Sequence, residues 1–73
     1  MSKMKNLYQV DLDVYDDTDL VQQCKEFGII GVPIEPETHW DMWRYTGTYE
    51  KLKHFVDEVY QDDLTSYFVK VGA

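Results

Sequence analysis

Along this chain the spacing of apolar residues switches between two and about 3.6 residues, and the order of the switches leaves few folds open. Leu7 to Tyr15 alternates, with Tyr8, Val10, Leu12 and Val14 on one side and Leu7, Gln9, Asp11 and Asp13 on the other. That is the pattern of a half-buried strand. The cluster Asp16-Asp17-Thr18-Asp19 follows. Short acidic side chains there are expected to cap a helix, taking its orphan N–H groups and suiting its dipole. Leu20, Val21, Cys24 and Phe27 come next at helical spacing, and Gly28 supplies a left-handed stop.

The second half repeats the alternation of types. Ile29 to Glu35 is predicted as a strand with Ile30, Val32 and Ile34 facing the core. Pro33 lacks an N–H, which places this strand at a sheet edge. Trp40 to Thr46 is predicted as a third strand. Trp43 and Tyr45 are expected inward, because the opposite parity would bury Arg44 in mid-strand. Gly47 is expected to break that strand and Thr48 to cap a second helix, with Leu52, Phe55, Val56 and Val59 as its apolar stripe and Tyr60 at the margin. Lys53 and Asp57 make an i,i+4 pair on its outer side. Asp62-Asp63 should end it. Thr65 to Val71 reads as a last strand, with Tyr67, Val69 and Val71 inward and Phe68 and Lys70 outward.

The order is β-α-β-β-α-β. With right-handed crossovers this gives an α+β, ferredoxin-like fold. Its four strands form an antiparallel sheet in the order 4-1-3-2, with two helices on one face. The whole of 1–73 is expected to be a single acidic domain. A chain of this size buries only about 60% of its unfolded surface, so the core is thin.

Charge narrows the function. The net charge is -7 over 73 residues, while 15% of the chain is aromatic. Residues 11–19 alone hold five aspartates and no base. A field of this sign repels phosphate backbones and anionic lipid heads, so direct binding to nucleic acid or membrane is not expected. Met1 to Asn6 is polar, so no export leader is expected, and no apolar run reaches membrane-spanning length. Cys24 is the only cysteine, which suits a reducing, cytoplasmic setting and a buried, inert thiol.

On these parities the open face of the sheet shows Leu7, Gln9, Asp11 and Asp13, then Trp40, Met42 and Arg44, then Phe68 and Lys70. Arg44 is placed to pair with Asp11 or Asp13. Trp40, Met42 and Phe68 would form an apolar patch of the residue types that anchor interfaces. The candidate partner-binding residues are therefore Asp11, Asp13, Asp16, Asp17, Asp19, Trp40, Met42, Arg44 and Phe68. RNA-binding modules of this topology stack bases on aromatics of that face; here the first strand offers Asp11 and Asp13 instead.

Catalytic and metal chemistry find little footing. His39 and His54 lack further ligands at zinc spacing. Ser2 and Ser66 have no nearby His/Asp pattern. Asp11 and Asp13, with Asp16 and Asp17, are of the type that holds Mg²⁺. The stretch from Val14 through Asp16 to Gly28 resembles, over one βα unit, small CRISPR-associated nucleases that keep a catalytic aspartate at the end of the first strand. That resemblance implies a Mg²⁺-dependent nuclease, which would need the basic surface this chain lacks. Helix capping accounts for the same aspartates. No cofactor is expected.

The expectation is thus a small binding module, an inhibitor or regulator that docks on a basic, nucleic-acid-binding surface of another protein. Phage-encoded inhibitors of host nucleases and defence complexes, anti-CRISPR proteins among them, share this size and composition, their acids imitating phosphates. The alternative is a self-associating regulatory or small-molecule-binding domain. A homodimer would form through the open sheet or an edge strand with a ligand at the seam, and the Gly28-Ile29-Ile30-Gly31 turn would supply backbone approach to the ligand.

Overall fold

A computed structural model of the chain describes residues 6–15, 18–34 and 42–71. The elements are β1 (Leu7–Asp13), α1 (Leu20–Phe27), β2 (Ile30–Ile34), β3 (Met42–Thr48), α2 (Tyr49–Val59), a 3₁₀ turn (Thr65–Tyr67) and β4 (Val69–Val71). The sheet order is β2-β3-β1-β4, antiparallel throughout. Counted from the β4 edge, the order is the expected 4-1-3-2. The fold is α+β and ferredoxin-like. Pro33 lies in an edge strand, as its missing N–H requires.

Both helices lie on one face. α1 packs over β2 and against α2, and α2 packs over β3 and β1. Between the layers sit Val10, Leu20, Cys24, Ile29, Trp43, Tyr45, Leu52, Phe55 and Val56. β1 and β3 hold their expected parities: Val10 from β1 and Trp43 and Tyr45 from β3 are buried. Thr48 caps α2, its hydroxyl accepting from the Lys51 N–H at 3.4 Å. The Lys53–Asp57 pair forms at 2.7 Å.

Other expectations are corrected. Gly47 does not break β3; it is a buried strand residue. A methyl group there would sit 2.8 Å from Ile29 Cγ2, so the missing side chain lets Ile29 pack against the strand. β2 has the opposite parity from the one expected. Ile29 is buried, while Ile30 and Val32 are 66% and 47% exposed. Gly31 takes the inward position, and a Cβ there would lie 2.7 Å from Cys24 Sγ and 3.2 Å from the Tyr45 ring. The slot is already filled by those neighbours, so the apolar series Ile30-Val32-Ile34 faces the other way.

β4 is also shorter and turned over. Asp63 Oδ1 accepts from the Thr65 N–H and hydroxyl at 3.2 and 2.8 Å, and this locks residues 65–67 into a 3₁₀ turn. Pairing resumes only at Val69. Tyr67 and Val69 are exposed, not inward. Phe68 packs against the core, edge-on to Tyr49 at 5.5 Å. Lys70 is paired with Tyr8 on the helix side of the sheet. α2 ends at Val59, before Asp62-Asp63; the Tyr60 and Gln61 N–H groups both reach the Val56 carbonyl at 3.0 Å.

Gly31→Ala is expected to destabilise the fold by about 1–3 kcal/mol, the usual penalty of overpacking. Cys24→Ala in the same chain should recover part of that loss, because it removes the atom in collision. Urea unfolding of the two single variants and the double variant measures the coupling. Additive losses would show that the Gly31–Cys24 approach is not the cause.

Candidate functional site

The register defines two ends of the molecule. β1 and β2 finish at one end, where β3 begins: Asp13 and Ile34 both stand beside Met42. α1 starts at this end and α2 finishes there, since the Tyr60 hydroxyl at the C-cap of α2 donates to the Asp13 carbonyl at 2.8 Å. The opposite end carries the end of α1, the start of α2 and the pairing of Tyr8 with Lys70.

Charge is sorted between these ends. Exposed Asp13, Asp19, Glu58 and Asp62 belong to the first. Asp57, in the last turn of α2, is held by Lys53. Thr65 groups donate to Asp63 and lower its pKa below the ordinary carboxylate value. Lys25, Lys51 and Lys70 all fall at the other end, together with Glu26 and Glu50. Among the described residues, the first end therefore carries carboxylates and no free base.

The proposed partner-binding residues separate accordingly. Arg44 lies in mid-sheet and grips Asp11 with two hydrogen bonds, Nε to Oδ1 at 2.8 Å and Nη2 to Oδ2 at 3.1 Å. Both oxygens of Asp11 are thus engaged. Asp13 and Met42 are cross-strand neighbours at the acidic end of the open face. Asp19 stands at the N-cap of α1, but its side chain makes no capping hydrogen bond. Phe68 is removed from the site, because it packs on the helix side. Asp16, Asp17, Trp40 and His39 lie outside the described residues.

The open face does carry apolar surface, but from other residues. Ile30 and Val32 at one edge and Val69 at the other, 57% exposed, take the place expected for Trp40 and Phe68. Gly31 was the available signal: a glycine in the middle of a strand marks close approach, so its side of β2 is the packed one.

Also at the acidic end is a cleft of about 410 Å³ between β1, α1 and α2. Val14, Leu20 and Val59 form its walls, and Tyr45 and Tyr60 its floor. The Tyr60 proton is committed to the Asp13 carbonyl, so the Tyr45 hydroxyl, 3.0 Å away, donates to Tyr60. Burial and that donated bond raise the Tyr45 pKa far above its ordinary value. Burial, with the Asp13 charge acting in the same direction, raises that of Tyr60. Burial likewise raises Cys24, leaving a neutral thiol.

Among the described residues no group of three His, Cys, Asp or Glu is placed to hold a metal ion, and no helix is long and apolar enough to cross a membrane. No protein-family model, no curated protein and no solved structure matches the chain.

The two tyrosines predict an alkaline limit. Their folded pKa values lie above the unfolded value of about 10, so the folded state holds protons that the unfolded chain releases above that pH. Stability should be independent of these groups below pH 9. It should then fall by up to about 1.4 kcal/mol per pH unit for each tyrosine still protonated. Denaturant unfolding between pH 8 and 11.5 measures the slope, which Tyr45→Phe should reduce. An unchanged slope in that variant would refute the assignment.

Proposed function

We propose that this chain is a non-catalytic protein-binding module, an inhibitor or regulator that occupies a basic, nucleic-acid-binding surface of another protein. The observation that carries this reading is the segregation of charge. Asp13, Asp19, Glu58 and Asp62 gather at one end, while the Lys and Arg residues among the described residues are either paired, as Arg44 and Lys53 are, or at the opposite end. A dipolar molecule with a net charge of -7 approaches a basic groove acid-end first, and the attraction acts over a Debye length. The docking surface is then the acidic end with the adjoining Met42 and Asp13 edge of the open sheet, not the centre of the sheet, where Arg44 neutralises Asp11.

The Mg²⁺-nuclease reading loses Asp11, which spends both oxygens on Arg44, while its Asp16 and Asp17 lie outside the described residues. The role of anti-defence inhibitor, acting in a host cytoplasm, is the form of this proposal that best suits a chain imitating phosphates.

The test is calorimetric titration against a panel of basic DNA- and RNA-binding proteins. A partner should be displaced by nucleic acid, and its Kd should rise at least about tenfold between 50 and 300 mM salt. Asp13→Asn with Glu58→Gln should weaken binding more than Glu26→Gln with Glu50→Gln, which removes the same charge from the other end. Salt-indifferent binding, or equal losses from the two ends, would contradict the proposal.

A second reading rests on the exposed Ile30, Val32 and Val69 of the open face. Apolar side chains on an uncovered sheet favour self-association through that face. Gly28 and Gly31 offer little to a ligand, being occupied in closing α1 and admitting Cys24. Sedimentation velocity should then give a dimer that Val32→Lys dissolves; a monomer at 100 µM would dispose of this reading.

A further inference from the structure

We infer that the cleft at the acidic end is a receptor for one arginine or lysine side chain of the partner. The inference rests on the reading above and adds where the partner's charge is held. A flat acidic patch would suffice for steering, but this end is concave. Its cleft, of about 410 Å³, falls at the low end of the range of about 300–1,000 Å³ found for small-ligand sites. The walls from Val14, Leu20 and Val59 are apolar and suit the methylene stem of a long cationic side chain.

The floor offers no donor to a ligand. Tyr60 gives its proton to the Asp13 carbonyl, and Tyr45 gives its proton to Tyr60. Neither floor phenol keeps a proton to meet an anion, while Gln23 and Tyr15, which also line the cleft, can accept as well as donate. Lysine and arginine heads are donors only. The electrostatics agree. α2 brings the negative end of its dipole to the cleft, with Glu58 in its last turn. The positive end of α1 is offset by Asp19 at its N-cap. Asp13 stands at the rim. Tyr15, also at the rim, is fully exposed and offers a ring face on which a guanidinium stacks.

The probes are a nine-residue arginine peptide and its citrulline counterpart, which keeps the shape and loses the charge. They are titrated into the ¹⁵N-labelled full chain at 50 mM salt. The arginine peptide should give saturable amide shifts centred on Val14, Tyr15, Leu20, Gln23 and Tyr60, and the citrulline peptide none. Gln23→Arg places a competing cation in the cleft from an exposed helix position. It should weaken binding at least about tenfold, whereas Gln22→Arg, with the same charge on the same helix, should weaken it about twofold or less. Equal effects of the two variants, or equal binding of citrulline, would overturn the receptor. Saturable arginine binding mapped to Ile30, Val32 and Val69 would overturn it too, while leaving the basic-partner reading standing. Absence of any saturable arginine binding would overturn the receptor, with the broader reading judged by its own titration against folded proteins.

Discussion

One buried phenol holds the layers of this small protein in register. Tyr45 sits at the centre of β3 with no exposed surface. Its ring packs on Phe55 of α2 at 4.7 Å. It also lies against Gly31 of β2, where only a hydrogen leaves room for it. Its hydroxyl, which burial would penalise if unpaired, finds Tyr60, and Tyr60 in turn finds the Asp13 carbonyl. Two strands, the end of α2 and the end of β1 are thereby tied to one side chain. The floor of the cleft and the docking of the end of α2 on β1 depend on that tie.

The charge distribution carries a local conflict that folding alone does not require. Asp57 and Glu58 stand in the last turn of α2, which has no base, and Asp62 and Asp63 follow it. Carboxylates at the negative end of a helix dipole are unfavourable. Lys53 relieves Asp57, and the Thr65 turn relieves Asp63. Among the described residues, Asp13, Glu58 and Asp62 gain no such partner side chain, and Asp62 accepts only from its neighbour's N–H. Local rules broken at one place and kept elsewhere are the pattern of a working surface, and the cleft lies at that place.

The strand and helix identities, their order, the sheet topology and the pairing of Arg44 with one of Asp11 and Asp13 were legible because each rests on local periodicity or on cross-strand neighbours; the register chose Asp11. The parity of β2 was not. Ile30, Val32 and Ile34 are the more apolar series, and only the closeness of Cys24 and Tyr45 to Gly31 turns them outward. Phe68 was misplaced for a related reason. Alternation was carried back to Thr65, but the Asp63–Thr65 bonds make a 3₁₀ turn there. Gly47 likewise reads as a breaker in one dimension and serves as a contact surface for Ile29 in three.

By itself the sequence determined a two-layer βαββαβ domain with a large excess of carboxylates, because periodicity, turn residues and net charge are properties of the chain. Tertiary structure alone decided which carboxylates are neutralised, which end is left acidic and which apolar side chains reach solvent. Those outcomes depend on cross-strand register and on the space between layers, and neither is written in the spacing of residues along one strand.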